Sequence, residues 1–151
     1  MRTIQIEERE LTALELERMW AGFDENTVAH GVEVQKSERS DFVALAGGQF
    51  VGCISGLTYQ NGSRFGGWFN LTDLFVEQSY RRMGSGTRLL RTMEHKLLGL
   101  GVDKVWVWTA GYEAPRFYQA RGYTIAAELE RWYSSGESRI GLRKTLESHR
   151  A

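Results

Sequence analysis

The chain has 151 residues, 42% apolar and 25% charged, and its 19 basic and 19 acidic side chains cancel. That length suits one domain with a real core, spanning 1–151, and the charge balance argues against nucleic acid or a membrane surface as the main partner. One cysteine, Cys53, excludes an internal disulfide framework.

Cys53 lies in an apolar strand-like run and reads as core packing. No run is long enough to span a bilayer, and the stretch with Glu7, Glu8 and Glu10 has no apolar signal core, so a cytoplasmic location is expected. In chain order, Thr3 to Glu7 alternates Ile4 and Ile6 with polar neighbours and predicts a first strand. Thr12 to Glu15 reads as a capping box, with Leu11 and Leu16 placed as a hydrophobic staple. Leu16, Met19, Trp20 and Phe23 then share one helical face. Asp24 to Ser40 is polar and poorly periodic, between Gly22 and Gly31 as breakers, and reads as a loop or a short second helix.

Phe42–Ala46 and Phe50–Ile54 flank Gly47-Gly48, a hairpin signal. Asn61-Gly62 is a second turn, and Trp68 to Val76 forms the next strand. Leu89, Leu90, Met93, Leu97 and Leu98 make an apolar helical stripe that Gly99 and Gly101 stop. Val105 to Trp108 is apolar on both faces, as in a buried central strand. Strand, helix and strand with a short return imply a parallel pair at the sheet centre. Pro115 suits the first turn of a further helix that holds Phe117 and Tyr118 and ends at Gly122, with Glu113 as a possible cap. Tyr123 to Tyr133 reads as a long strand, Ser134-Ser135-Gly136 as a turn and Arg139 to Leu146 as the last strand. The fold class is α+β: one mixed, mostly antiparallel sheet of about seven strands, with a splayed parallel pair and helices on both faces.

The junction between Val76 and the helix stands out. Arg81, Arg82, Gly84 and Gly86 form a basic, glycine-spaced turn that runs into the helix from Thr87. A helix start carries unpaired N–H donors and a positive dipole end, so it attracts phosphates. A Walker A loop is disfavoured because no Gly-Lys pair follows Gly84 or Gly86. A dinucleotide fingerprint needs a third glycine where Leu89 stands, and antiparallel strands precede the turn. Ser85 sits in no nucleophile elbow. His30, His95 and His149 have no metal-ligand spacing with Cys53 or one another, so no metal is expected.

Arg81-Arg82-Met83-Gly84-Ser85-Gly86 resembles the Arg/Gln-x-x-Gly-x-Gly/Ala signature of the GNAT N-acetyltransferase superfamily. Phe117 to Tyr123 resembles that family's later Phe-Tyr-x-x-x-Gly-aromatic segment, and the likeness runs from Trp68 to Tyr123. The resemblance implies acetyl-CoA as co-substrate. Backbone N–H groups of Met83, Gly84, Ser85, Gly86 and Thr87 would hold the pyrophosphate, with charge from Arg81 and Arg82. The strand end Leu74-Phe75-Val76, opened by a β-bulge, would pair with the pantetheine arm. It also implies Tyr118 as the group that stabilises or protonates the departing thiolate. The asparagine found in many members before this helix is missing from Gly111 to Pro115.

Members use a carboxylate on the strand before the turn as base. Strict alternation puts Leu71, Asp73 and Phe75 on one face, and Asp73, the only carboxylate in the apolar run, is the candidate, expected buried. Glu77 is a second choice. Trp20, Phe23, Trp68, Trp132 and Tyr133, with Glu128 and Glu130, are candidates for an aromatic, acidic acceptor pocket suited to a cationic amine, although aromatic residues at these spacings are more often core and acidic ones more often a solvated face. The leading reading is acetyl transfer to a primary amine of a small molecule or protein by direct attack. The alternatives are an inactive acyl-CoA-binding regulatory module and a nucleotide-binding domain. The last two strands offer an edge through which a homodimer could form.

Overall fold

The computed structural model describes residues 2–61, 64–112 and 114–147. The chain divides into two compact units, one ending at Val34 and the other beginning at Gln35. The first holds one helix, α1 (Ala13–Ala29). The expected capping box forms: the Thr12 hydroxyl accepts from the Glu15 N–H, and the Glu15 carboxylate accepts from the Thr12 N–H. Arg9, bonded to Glu15 at 2.8 Å, holds that carboxyl down at about 2, with the Thr12 N–H adding to the effect.

Three expectations for this unit are corrected. Residues 2–12 form no strand, and Ile4 and Ile6 are 87% and 95% exposed. An isolated strand with no paired neighbour and no buried face is not stable in water. Gly22 does not break α1, because a single glycine costs a helix only about 1 kcal/mol. The polar stretch after Asp24 is therefore helical to Ala29, and the next strand starts at Gln35. No residue of α1 is buried, and Met19, Trp20 and Phe23 are exposed.

The second unit is a six-stranded sheet in the order β1-β2-β3-β4-β6-β5. Its strands are β1 (Gln35–Ala46), β2 (Gln49–Asn61), β3 (Arg64–Val76), β4 (Lys104–Ala110), β5 (Thr124–Leu129) and β6 (Arg139–Thr145). Only β3 and β4 are parallel, as expected. Among the described residues the sheet has six strands rather than about seven, because the N-terminal strand does not form. Gly47 and Gly48, at φ +55° and +80°, close the β1–β2 hairpin, whose two-residue turn demands that conformation. The Asn61-Gly62 turn and the Glu113 cap fall at least partly outside the described residues, as does His149.

Helix α2 (Ser85–Gly99) joins β3 to β4 and buries Leu89, Leu90, Met93 and Leu97. They pack with Ile54, Phe69, Leu71, Val105, Val107 and Leu142 of the sheet. Helix α3 (Pro115–Gln119) follows β4, with Pro115 in its first turn as expected. The long strand expected from Tyr123 to Tyr133 stops at Leu129. There Arg131 turns left-handed at φ +50°, and the N–H groups of Trp132 and Tyr133 both donate to the Glu137 carbonyl at 3.1 Å. This local turn overrides the strand propensity of the two aromatic residues.

The sheet centre is tight. A Cβ on Gly56 would overlap the ring of Phe69, which is fully buried, and the Asn70 carbonyl oxygen. Gly56→Ala is expected to cost about 1–3 kcal/mol in urea unfolding, since a packed core absorbs extra atoms only by strain. An unchanged midpoint would show that β2 and β3 approach less closely.

Candidate functional site

The site begins with one extra residue in β3. Ser55 of β2 pairs with Asp73, but the next residue, Gly56, pairs with Leu71. Thr72 is therefore a β-bulge. The Thr72 hydroxyl is within reach of the Ser55 carbonyl at 3.2 Å and of Asp73 Oδ2 at 2.8 Å. Parallel pairing between β3 and β4 covers only Trp68–Leu71 against Lys104–Val107. Past Leu71 the two strands no longer bond each other, and the β3 backbone from Thr72 to Val76 is left open on the β4 side. Such backbone needs partners, and an extended amide-bearing ligand can supply them.

The bulge also corrects the expected alternation. Leu71 and Leu74 both belong to the core side, while Asp73 and Phe75 are exposed on the other face. The Phe75 side chain stacks on Phe50, with centroids 6.3 Å apart, and contributes only its backbone to the open edge.

A 3-10 turn, Gln78–Tyr80, leads from β3 to α2. Arg82 and Gly84 then adopt left-handed conformations at φ +63° and +81°. Gly84 caps α2 without a side chain, and the Arg88 N–H donates to the Gly84 carbonyl at 3.0 Å. The N–H groups of Ser85, Gly86 and Thr87 precede that bond and have no acceptor within the helix. The first turn of α2 has no acidic residue.

These groups open into a cleft of about 350 Å³ lined by Leu74, Val76, Tyr80, Arg81, Arg82, Gly84, Ser85, Gly86, Thr87, Thr109, Ala114, Phe117, Tyr118 and Arg121. Among the described residues, three arginines and no carboxylate line it, in a chain of zero net charge. Met83 is 69% exposed and is absent from the lining. The sequence reasoning missed Tyr80, Thr109 and Arg121. Arg121 sits inside the recognised segment ending at Tyr123, so its place there was the available signal. Its Nε donates to Thr87 Oγ1 at 2.8 Å and its Nη1 to the Phe117 carbonyl at 2.7 Å. Its guanidinium lies 3.8 Å from the Phe117 ring centre. Arg81 has a structural duty as well: its Nε donates to the Val76 carbonyl at 2.9 Å and anchors the end of β3.

Tyr118 is 5% exposed and reaches the same cleft, wedged edge-on between Phe117 and Tyr123 at 5.3 and 5.4 Å. Asp73 lies on the opposite face at the lip of the splay and is exposed rather than buried, because the bulge turns it away from the core. Beside it Ser55 donates to Asp41, which holds the Asp41 carboxyl below the usual range, with Arg39 adding a smaller pull. Glu77 is exposed at the start of the 3-10 turn. Cys53 is half-buried, and burial pushes its thiol up, as befits packing.

Of the expected acceptor aromatics, Trp20 and Phe23 belong to the first unit and Trp68, Trp132 and Tyr133 to the second. The rings of Trp68 and Trp132 already lie against the chain's own cations, Arg143 at 4.7 Å and Arg139 at 5.3 Å. Tyr133 packs on Tyr112 at 5.2 Å, and Glu128 accepts from Ser138 at 2.9 Å.

A mixed sheet split by a bulge beside an arginine-lined helix start is the architecture of an α+β acyltransferase. The sequence model of the acetyltransferase (GNAT) family matches residues 4–123, and the chain belongs to that family. Among solved structures it resembles an acetyltransferase from Bacillus cereus ATCC 14579, with a TM-score of 0.77 and 21% identity over 93% of this chain and 98% of that one. It also resembles an aminoglycoside 6'-N-acetyltransferase complexed with coenzyme A, with a TM-score of 0.62 and 20% identity over 76% of both chains. A third likeness is to the NatC complex bound to Gag peptide and CoA, with a TM-score of 0.60 and 16% identity over 93% of this chain and 84% of that one. At these identities the likeness is one of fold. No curated protein matches the chain.

Behind Tyr118 a polar network crosses the core. The Tyr123 hydroxyl donates to Glu94 at 2.8 Å, and Lys144 bonds both oxygens of Glu94 at 3.2 Å. This network borders a separate groove of about 770 Å³ behind α2. Burial, with Glu94 beside it, pushes the Tyr123 phenol far above its ordinary value. The folded state therefore holds this proton more tightly than the unfolded chain does. The stability it contributes is whole below pH about 10 and falls as pH rises past that value. Urea midpoints of the wild type are expected to drop above pH about 10, and Tyr123→Phe should flatten that drop. Equal slopes for the two proteins would contradict the assignment.

Proposed function

We propose that this chain transfers an acetyl group from acetyl-CoA to a primary amine. The observation that carries the reading is the cleft: three arginines and free helix-start amides, with no carboxylate among the described residues, opening onto unpaired β3 backbone beside Tyr118. A diphosphate fits that electrostatics, and an amide-bearing arm fits that backbone. The matched aminoglycoside enzyme, complexed with coenzyme A, and the NatC complex, bound to a peptide and CoA, support the same donor.

Acetyl-CoA supplies a thioester, whose carbonyl carbon bonds to the amine nitrogen as the C–S bond breaks, giving an amide and a thiol. The N–H groups of Gly84 to Thr87 hold the pyrophosphate, with Arg82 and Arg121 adding charge and Arg81 adding charge while anchoring Val76. The backbone of Leu74 to Val76 orients the arm. Tyr118, in the cleft wall, hands a hydrogen bond or proton to the departing sulfur. Asp73, at the opposite lip, receives the incoming ammonium and takes its proton directly or through water. An amine must shed that proton before it attacks, because its pKa lies near about 10.

A free-thiol assay over amines and peptides tests turnover. Tyr118→Phe is expected to lower kcat about 100-fold and to leave acetyl-CoA affinity near wild type by calorimetry. Gly84→Asp is expected to weaken acetyl-CoA binding by about tenfold or more, through a negative charge at a helix start and a strained φ. Tight ATP binding without acetyl-CoA affinity would sink the proposal. Acetyl-CoA binding with no turnover, unaffected by Tyr118→Phe, would leave a binding module.

A further inference from the structure

On the sheet face away from α2, the second unit carries a feature that the donor site does not use. Along β4, Val105, Val107 and Thr109 are buried toward α2 and the cleft, and Trp106 and Trp108 point the other way. Register places Gly141 of β6 beside Trp108 and Arg139 beside Ala110. Because Gly141 has no side chain, the Trp108 indole can lie across β6: a Cβ there would come within 3.0 Å of the ring. The turn after β5 brings Trp132 from the other side. The Arg139 guanidinium ends up 5.4 Å from the Trp108 ring centre and 5.3 Å from that of Trp132.

Arg139 is half-buried, and among the described residues it has no hydrogen-bond acceptor and no carboxylate partner. Arg39 has Asp41, Arg81 has the Val76 carbonyl, and Arg121 has Thr87 and the Phe117 carbonyl; among the described residues Arg143 also stacks without an acceptor, on Trp68, but is exposed, whereas Arg139 is half-buried. A guanidinium stays charged at every working pH, and its planar fork of five donors matches a carboxylate in bidentate fashion. Two indoles hold this fork in place while its donors go unused.

Its position gives the fork a purpose. Ala110, its partner across β4 and β6, directly follows Thr109, which lines the donor cleft from the other face. Asp73 of β3 alternates with the core-facing Leu74, as Trp108 of β4 does with Val107, so the two belong to the same face of the sheet. We propose that the acceptor is a primary amine that also carries a carboxylate, an amino acid in its simplest form. Its ammonium meets Asp73 and its carboxylate meets the Arg139 fork. This rests on the acetyl-transfer reading and names the substrate class of that site. Polycationic acceptors fit poorly, because Arg139 already occupies the faces of Trp132 and Trp108, and Arg143 and Lys104 that of Trp68.

The test compares a free amino acid, its carboxamide and its decarboxylated amine as acceptors, for several side chains, with wild type, Arg139→Gln and Arg139→Lys. Wild-type kcat/KM is expected to favour the acid by about 10- to 100-fold, the range of a charge-assisted pair. Arg139→Gln should abolish that preference by raising KM for the acid, and leave the decarboxylated amine unchanged. Arg139→Lys should recover part of it. Amides or decarboxylated amines that work as well as the acids would overturn the proposal, and so would an undiminished preference in Arg139→Gln. A second arm needs no turnover: an N-acetyl amino acid and its amide are titrated against tryptophan fluorescence in the presence of CoA. Binding of the acid alone, lost in Arg139→Gln, supports the fork even if no amine is acetylated, an outcome that would fault the acetyl-transfer reading instead. No binding of the acid overturns the fork.

Discussion

The unit's architecture turns on one surplus residue. Thr72 adds a residue to β3 that β2 cannot match, so β3 bends away from β4 after Leu71. An unbroken ladder would have tied Thr72–Val76 to β4 and left no open backbone. The same insertion rotates Leu74 back into the core and sends Asp73 outward. One irregularity thus places unpaired amides on the donor side and a carboxylate at the other lip. The cost is contained because β2 continues to pair β3 on its far edge, from Asp73 to Val76.

Around that opening, the two faces differ in charge: one is cationic and the other mixed. The cleft side has Arg81, Arg82 and Arg121, with no carboxylate among the described residues, although the chain as a whole is neutral. The concentration of positive charge is a product of packing: Arg121 is drawn in by Thr87 and Phe117, and Arg81 by the Val76 carbonyl. On the far side, acidic groups gather on β1 and β3, and cations stack over the tryptophans of β3, β4 and the β5–β6 turn.

Much of this was legible in the residues. Gly47-Gly48 can only make a tight turn, and Leu89, Leu90, Met93 and Leu97 can only bury one helical face. The glycine-spaced basic turn before α2 carried its anion-binding character in its own composition. Three things were not legible. Ile4 and Ile6 alternate as a strand would, but pairing partners are supplied by the rest of the fold, and none is supplied. Trp132 and Tyr133 have strand propensity, and a local turn with the Glu137 carbonyl defeats it. Asp73 reads as buried among apolar neighbours, and an alternation of two cannot announce the residue that breaks it.

Local chemistry belongs to the sequence: helix starts, two-residue turns, the amphipathic stripe of α2 and the anion-seeking turn are each complete within about ten residues. These depend on backbone preference and side-chain period, which a neighbouring strand does not alter. The tertiary structure alone decided the register that makes Thr72 a bulge, the approach of Arg121 to Thr87 across 34 positions and the seating of Arg139 between Trp108 and Trp132. Each of these is a contact between elements far apart in the chain. Such contacts follow from how the sheet's strands line up, and the spacing of residues along any one strand does not encode them.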